Sequence, residues 1–236
     1  MMRNVLISFL LAITVMLTAN AQVKRHEFKV GNFSSLALID DINVNYRCNA
    51  DSAGMAVVTT TQDIIGHFIF SISSKGRLSI QLDDVLEHME NLPVITVYSS
   101  SLDVAENDGD STLRVSGLPP MKEFKVRLTD NGKVIVRGVR ASQLELQILS
   151  GKGKIIADGS CDDLALRLVG TGEIQADKVD ATNVSCRIIG TGSMGCNVLG
   201  GELKVNGSGT GKVYYKGNPS KVTVRKLGTI KAIPME

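Results

Sequence analysis

The sequence predicts an all-β protein, built mainly as a right-handed, β-helix-like solenoid with coils of about 20 residues. Gly-x-Gly motifs begin at Gly151, Gly170, Gly190 and Gly207, so successive motifs are 19, 20 and 17 residues apart. A run of alternating apolar and polar residues, which is the pattern of a half-buried strand, precedes each motif. Repeats of this length are typical of stacked units that bury their apolar faces against one another.

The composition agrees with this fold class and bears on function. The 236 residues include 23 Gly and no Trp, and only 4% are aromatic, while Val, Ile and Leu occur in short runs between turn residues. The net charge of +2 gives no strong overall field, so nucleic acid is not an expected partner. No residue pattern indicates a cofactor.

Residues 1–21 predict a secretory signal peptide. Arg3 precedes an apolar run over residues 5–18, and Ala19 and Ala21 form an A-x-A cleavage pattern that leaves Gln22 as the new N-terminus. A membrane anchor is the alternative, but about 14 apolar residues fall short of the ~20 that span a bilayer. We therefore expect an exported protein, periplasmic or secreted to the cell surface, with no transmembrane segment after cleavage.

Residues 22–92 are predicted to form a smaller N-terminal β portion. Asp63, Ile64 and Ile65 are compatible with one helical turn. The acidic residues 83–91, which include His88, are expected to form an exposed loop before Pro93. The runs with strand character are residues 28–30, 36–46, 55–60, 67–73 and 78–82.

Residues 93–236 are predicted to form the solenoid repeats. Alternate residues of a strand face opposite sides of a sheet, so aligning the repeats predicts which side chains point inward. The inward residues of the first strand of each coil are Phe124, Val126, Leu128, Leu144, Leu146, Ile148, Leu164, Leu166, Leu168, Val184, Cys186, Ile188, Leu203, Val205, Val222 and Val224. Those of the second strand are Val134, Ile155, Ile174, Met194 and Val213.

The glycines are predicted to form the corners between strands. A sharp corner needs a positive φ or a backbone without a Cβ beneath the next coil, and glycine meets both needs. Phosphate-binding loops also contain Gly-x-Gly, but they require a following helix, whereas a strand follows here. Gly228, Thr229 and Ile230, before a short polar tail, predict a capping repeat. The predicted corner residues are Gly151, Gly153, Gly170, Gly172, Gly190, Gly192, Gly207 and Gly209.

The four cysteines, Cys48, Cys161, Cys186 and Cys196, leave two interpretations open. An even number of cysteines in an exported protein permits disulfides. The repeat alignment instead places Cys186 and Cys196 on inward rows otherwise occupied by leucine and alanine, so we favour buried free thiols that behave as small hydrophobic residues. Metal binding is not expected, because no C-x-x-C pair occurs and no His lies within five residues of a Cys.

The second half of the chain contains SGKGKI, GTGEI, GTGSM, GSGTGKVYYKGNP and LGTI in succession. From about Phe33 to Ile233 the sequence resembles the family called putative auto-transporter adhesin, head GIN domain, which is common in exported proteins of Bacteroides and its relatives. The resemblance implies an all-β fold with β-helix-like coils and a role in cell adhesion. The sequence departs from the family pattern at Val169 and Ile189, where a small polar residue is usual.

The outward residues of the first strands predict a basic stripe. In a stacked solenoid its members would lie ~4.8 Å apart, and like charges at that separation destabilise the sheet by a few tenths to ~1 kcal/mol per pair unless they are neutralised. We hypothesise that the stripe binds an acidic glycan or lipopolysaccharide, or an acidic protein surface. The alternative is a solvated face whose long side chains splay apart. The candidate ligand-binding stripe is Arg127, Gln147, Arg167, Arg187, Lys204 and Arg225.

Leu149, Val169 and Ile189 precede three of the glycine motifs and are predicted to form an outward aliphatic row. An exposed apolar row of this length implies a covered surface. The N-terminal strands are the cover that we favour, and a second subunit of a homo-oligomer is the alternative.

No constellation of residues indicates catalysis. Asp158 and Asp177 occupy equivalent repeat positions, as two carboxylates of a glycan-active enzyme would, but Asn197 and Lys216 continue their row. His88 has no second histidine at the spacing of a zinc site, and no nucleophile motif occurs.

The sequence therefore predicts an exported, non-enzymatic, adhesin-like or envelope-interaction protein with an anionic glycan as its candidate ligand. A polysaccharide lyase-like or hydrolase-like β-helix enzyme and a purely structural envelope protein are the alternatives. A catalytic groove would show carboxylates on adjacent coils, and a structural protein would bind no ligand saturably.

Overall fold

The computed structural model describes residues 22–86, 89 and 91–235. The predicted signal peptide and His88 lie outside the described residues. The all-β prediction is confirmed: 65% of the structure is strand and 2% is helix, and a β-solenoid of about seven turns follows a smaller N-terminal β portion. No helix in the described ranges is long and apolar enough to cross a membrane.

The strands in chain order are β1 (Lys24–Lys29), β2 (Ser35–Leu38), β3 (Val44–Cys48), β4 (Met55–Thr60), β5 (Phe68–Ile72), β6 (Arg77–Leu82), β7 (Ile95–Ser99), β8 (Val104–Asn107), β9 (Thr112–Ser116), β10 (Met121–Leu128), β11 (Lys133–Ile148), β12 (Lys154–Gly170), β13 (Glu173–Gly190), β14 (Ser193–Val198), β15 (Glu202–Gly209), β16 (Lys212–Gly217), β17 (Lys221–Gly228) and β18 (Lys231–Pro234). The short helix α1 (Gln62–Ile65) precedes β5.

The solenoid strands stack in parallel on two faces. The first face contains β8, β10, the later halves of β11, β12 and β13, and then β15 and β17. The second face contains β9, the early parts of β11, β12 and β13, and then β14, β16 and β18. Each long strand therefore bends from the second face to the first, which is how one coil of about 20 residues closes.

The N-terminal strands extend the same stack. β2 pairs in parallel with both β6 and β8, and β3 pairs in parallel with both β7 and β9, so the order of the stack differs from the order of the chain. The antiparallel partners β1, β4 and β5 lie beyond them at the N-terminal end. The predicted single strand over residues 36–46 is wrong, because a turn in which the Ile42 amide donates to the Asp40 carbonyl at 2.8 Å separates β2 from β3.

The core is one continuous column between the two faces. The predicted inward residues from β10 to β15 are at most 2% exposed, and all five predicted inward residues of the second face are fully buried. Burying an aliphatic side chain contributes about 1.5–3 kcal/mol, so these rows hold the coils together. All four cysteines are free thiols, and Cys161, Cys186 and Cys196 are buried.

The two glycines of a corner serve different geometric needs. Gly170 has a φ of +118°, and a Cβ added to it would lie 2.7 Å from the Gly151 carbonyl oxygen. Gly172 has no positive φ, but a Cβ there would lie 2.6 Å from the Gly153 carbonyl oxygen of the preceding coil. The first glycine therefore supplies a left-handed backbone and a close approach, and the second supplies only the close approach.

The predicted corner at Gly207 is displaced by two residues. Gly190 pairs with Gly209, and the Thr210 amide donates to the Gly190 carbonyl at 3.0 Å, so this corner begins at Gly209. Gly207 instead lies opposite Ile188 on an inward row, where a Cβ would meet the Ile188 carbonyl oxygen at 2.3 Å and the Ile230 Cδ1 at 2.5 Å. The sequence spacing was misleading because a third glycine precedes the true corner pair.

Candidate functional site on the first face

The register of the first face brings four of the six stripe residues together. Arg127, Gln147, Arg167 and Arg187 are direct partners in adjacent strands. The row then continues through Asn206 to Arg225.

Lys204 does not belong to this row. It pairs with Ser185 and lies on the neighbouring row of the first face. Lys204 is offset from the row by two residues, as Gly207 is from the corner, because Arg187 pairs with Asn206 and Gly190 with Gly209. Asn206 therefore interrupts the basic row between Arg187 and Arg225.

Arg127 is neutralised by a buried carboxylate. Glu106 on β8 is only 5% exposed and forms ion pairs with Arg127 at 2.5 Å and with Arg77 at 2.6 Å. A buried carboxylate needs such partners because its desolvation is costly. Arg127 therefore stabilises the junction between the N-terminal strands and the solenoid. Sequence reasoning missed Glu106, although it lies one repeat of 21 residues before Arg127.

The next coil is neutral along the stripe. Gln147 is buried and donates a hydrogen bond from its side-chain amide to Glu145 Oε1. The other carboxylate oxygen of Glu145, Oε2, forms an ion pair with Lys125 Nζ at 2.7 Å. The basic character of the predicted stripe is thus confined to the coils beyond Gln147.

Arg167 and Arg187 form the remaining arginine pair. They are exposed direct partners on β12 and β13, in strands ~4.8 Å apart. Among the described residues, neither guanidinium has a carboxylate within ion-pair distance, whereas most of the neighbouring basic residues do. Two guanidinium groups on directly paired positions of adjacent strands repel each other and offer several donors to one anionic group.

A shallow depression lies beside the arginine pair. Ala165 and Ser185 occupy the adjacent row and are too short to fill it, which leaves a pocket of about 270 Å³. On its far side Asn183 donates to Asp163 Oδ1 at 3.1 Å, and Asn183 Oδ1 accepts from the Glu202 amide at 3.1 Å. Lys204 and these amide and carboxylate groups line the depression, and the row of the arginine pair lies next to it. This combination suits a polyhydroxylated ligand that bears an acid.

A second, smaller pocket lies between β15 and β17. Its volume is about 200 Å³. Lys204 contacts Glu202 at 2.8 Å, and Lys221 contacts the same carboxylate at 3.9 Å. These lysines lower the pKa of Glu202. The structure therefore brings Lys204 near Arg225 in this pocket, although the two residues belong to different rows. The lining residues are Lys204, Asn206, Lys221, Thr223 and Arg225.

The aliphatic row is exposed. Val169 pairs with Ile189, and the row continues through Ser208 to Leu227. Leu149 is 37% exposed and Ile189 is 39% exposed. The expectation that N-terminal strands cover this row is wrong, because those strands extend the end of the stack and leave the side of the solenoid uncovered.

The two candidate catalytic carboxylates are not a pair. Asp158 pairs in register with Lys178 across a bulge, and its carboxylate accepts from Arg137 at 2.5 Å and from the Gly138 amide at 2.6 Å. Burial acts to raise the pKa of Asp158, but these two hydrogen bonds outweigh it and lower the pKa. Asp177 instead forms an ion pair with Lys216 at 3.0 Å. Both carboxylates are thus engaged by basic residues, Asp158 by one of the adjacent coil and Asp177 by one two coils further along.

Sequence reasoning also missed an acidic pocket of about 240 Å³ at the corners of the first coils. Its carboxylates hold backbone turns: Asp40 accepts from the Leu82 amide at 2.7 Å, and Asp41 accepts from the Asp110 amide at 2.5 Å. Over the part of the chain that the structure describes, no group of His, Cys, Asp or Glu is arranged to hold a metal ion. The aspartates that line this pocket are Asp40, Asp41, Asp108, Asp110 and Asp130.

Solved structures share this fold. A putative adhesin from Bacteroides fragilis aligns with a TM-score of 0.81 at 19% identity, covering 91% of this chain and 97% of the other. A putative adhesin from Parabacteroides distasonis aligns with a TM-score of 0.74 at 19% identity, covering 92% and 98%. A putative lipid binding protein from the same species aligns with a TM-score of 0.71 at 18% identity and the same coverage. At such identities the likeness establishes the fold.

A family model establishes the relationship by sequence. No curated protein matches the chain. The model described as putative auto-transporter adhesin, head GIN domain, matches residues 32–219, which is most of the chain. The match spans β2 to β16, so it includes most of the N-terminal strands and most of the glycine-cornered coils. The chain therefore belongs to the putative auto-transporter adhesin, head GIN domain family.

Proposed function

We propose that the protein is an exported, non-enzymatic adhesin-like protein that binds an anionic glycan with the arginine pair Arg167 and Arg187. The observation that supports the proposal is the pairing of two exposed guanidinium groups with no carboxylate in reach among the described residues. A uronate or sulfate group would relieve their mutual repulsion and accept hydrogen bonds from both. The neighbouring depression would receive the sugar hydroxyls.

Three further observations support the adhesin-like role. The family and two of the solved relatives are described as adhesins. The first face places Arg167 and Arg187 on directly paired strands at the regular strand spacing, which suits two charged groups of one chain-like ligand. Adhesion also requires export or surface location, and the residues at the N-terminus have the pattern of a secretory signal.

The non-enzymatic part of the proposal is supported by Asp158 and Asp177. Each carboxylate is held by a basic neighbour, so neither is placed as a free acid or base beside the other. Incubation of the protein with polygalacturonate tests this part directly. Release of new reducing ends or of unsaturated uronate would favour the lyase or hydrolase alternative.

The binding proposal is tested with residues 22–236 and polygalacturonate or heparin at low salt. We expect Arg167→Glu with Arg187→Glu to weaken binding at least ~10-fold, which corresponds to about 1.4 kcal/mol. Arg140→Glu with Lys152→Glu is the matched control, because both residues are exposed and the change in charge is identical. Equal affinity of the wild type and the arginine variant would refute the proposal, as would equal loss in the control.

The aliphatic row supports a second, weaker interaction. Leu149 and Ile189 are exposed in the single chain and Val169 is half-buried, and we propose that these three residues are a contact surface between copies of it. The three side chains span only ~10 Å along the stack, and so short a row covers a small part of the ~800 Å² per partner that a stable interface buries. The association that we propose is therefore weak and depends on protein concentration.

A further inference from the structure

The C-terminal rim, which we define as the outer edges of β17 and β18, is an open end of the solenoid. No described residue pairs with these edges. Val222 and Val224 occupy inward positions of β17, yet they are 41% and 40% exposed, whereas Leu203 and Val205 beneath them are buried. The expected capping repeat is therefore incomplete, because a coil buries its inward residues only when another layer covers it.

Two residues, Ile230 and Lys226, cover the core at the centre of the rim. Ile230 is fully buried and fills the space above Gly207. Lys226 stands at an inward position, and its ammonium donates to the Ile230 carbonyl at 3.1 Å. Inward-pointing charges and lysines on an edge strand oppose pairing with an identical edge. Lys226 therefore opposes pairing of the rim with the rim of a second copy, and the backbone edge of β17 stays unpaired among the described residues.

Positive charge is concentrated at this end of the molecule. Residues 203–235 contain seven basic residues and no acidic residue, although the whole chain has a net charge of only +2. On β17 the nearest described carboxylate to Lys221 is Glu202 at 3.9 Å, and Arg225 forms no ion pair with any described residue. The basic residues are Lys204, Lys212, Lys216, Lys221, Arg225, Lys226 and Lys231.

We propose that the C-terminal rim is a docking edge for an extended acidic segment of a partner protein, which adds to β17 as a further strand. Main-chain hydrogen bonds would satisfy the open edge, and alternate apolar residues of the segment would cover Val222 and Val224. The intervening acidic residues would meet Lys221 and Arg225. This proposal does not depend on glycan binding by the first face.

The inner side of β17 shows the same pattern of complementarity. β15 places Glu202 opposite Lys221 and Leu203 opposite Val222. β15 therefore places alternating polar and apolar residues opposite β17, with an acidic residue facing Lys221 and Asn206 facing Arg225. The docking edge would repeat that arrangement on the outer side, where no described carboxylate is present.

Synthetic peptides test the proposal with residues 22–236. The probe is an eight-residue peptide of alternating Glu and Val, and its partner peptide replaces every Val with Ser so that charge is kept and strand packing is lost. Affinity is measured at low salt, and hydrogen exchange follows the amides of Lys221–Gly228. We expect the Glu-Val peptide to bind at least ~10-fold more tightly than the Glu-Ser peptide and to slow exchange in β17.

Variants locate the site. We expect Lys221→Glu with Arg225→Glu to weaken the Glu-Val peptide at least ~10-fold, about 1.4 kcal/mol, because like charges then face each other. Arg140→Glu with Lys152→Glu carries the same change in charge and should leave the affinity unchanged. Absence of binding, equal binding of the two peptides, equal binding by the rim variant, or protection elsewhere than β17 would each overturn the proposal.

Discussion

Four glycine-to-alanine variants separate the two geometric needs that a solenoid corner places on its residues. Gly190 has a φ of +130° and lies so close to the preceding coil that an added Cβ would be 2.2 Å from the Gly170 carbonyl oxygen. Gly192 has only the close approach, with 2.3 Å to the Gly172 carbonyl oxygen. Gly138 has only the positive φ, at +65°, with open space around it. Gly66 has neither constraint.

The expected losses follow from these distances and angles. A left-handed backbone costs about 1–2 kcal/mol for alanine, so Gly138→Ala should lose that amount. Overpacking against a carbonyl that belongs to the sheet costs about 1–3 kcal/mol, the loss expected for Gly192→Ala. Gly190→Ala combines both costs and should lose about 2–5 kcal/mol. Gly66→Ala should be neutral or gain up to ~1 kcal/mol through the unfolded state.

Thermal unfolding followed by circular dichroism measures the series. In a chain of this size, 1 kcal/mol shifts Tm by about 2–4 °C, so Gly190→Ala should melt roughly 4–20 °C below the wild type. Gly138→Ala and Gly192→Ala should fall between it and Gly66→Ala. The reasoning would be refuted by a Gly192→Ala protein that melts with Gly66→Ala, because close approach between coils would then cost nothing.

Three further predictions concern other parts of the chain. Glu106→Gln should lower Tm by about 2–12 °C, because it leaves the Arg127 guanidinium without its charged partner at a cost of about 1–3 kcal/mol. An unchanged Tm would show that the ion pair is not stabilising. Iodoacetamide at about pH 8 should label Cys48 well before Cys161, because burial raises the pKa of the Cys161 thiol to about 12; mass spectrometry showing equal rates would contradict the assigned burial. Sedimentation equilibrium should show weak self-association of the wild type at high concentration and a monomeric Ile189→Lys, and equal masses would remove the aliphatic row as a contact surface.

Local sequence patterns were sufficient for the class of fold. The period of two in strands such as Phe124–Leu128 reflects one buried and one exposed side, and that alternation needs no tertiary information. The glycine pairs at Gly170 and Gly190 likewise follow from local sterics, because no other residue tolerates both the backbone angle and the approach of the next coil. These two signals together predicted the coils, their inward rows and the burial of Cys186.

The residues of the candidate site were only partly predictable. Arg167 and Arg187 lie in repeats of regular length, so counting from one glycine pair to the next placed them correctly as neighbours. The prediction for Lys204 was wrong because the Gly-x-Gly motif at Gly207 lies two residues before the true corner at Gly209, so the repeat length was taken as two residues too short. The neutralisation of Arg127 by Glu106 was not visible either, since an ion pair depends on where two side chains meet and on how far water is excluded.

The amino-acid pattern alone specified an all-β, glycine-cornered stack, because strand alternation and corner sterics act over a few residues. The order of that stack was settled by long-range pairing: β2 lies between β6 and β8, an arrangement that pairs strands far apart in the chain. Such pairing depends on competition among many edges of similar local character, which no window of sequence contains. For the same reason, only the folded molecule shows that the N-terminal strands close one end and leave Ile189 exposed on the side and Val224 exposed at the C-terminal rim.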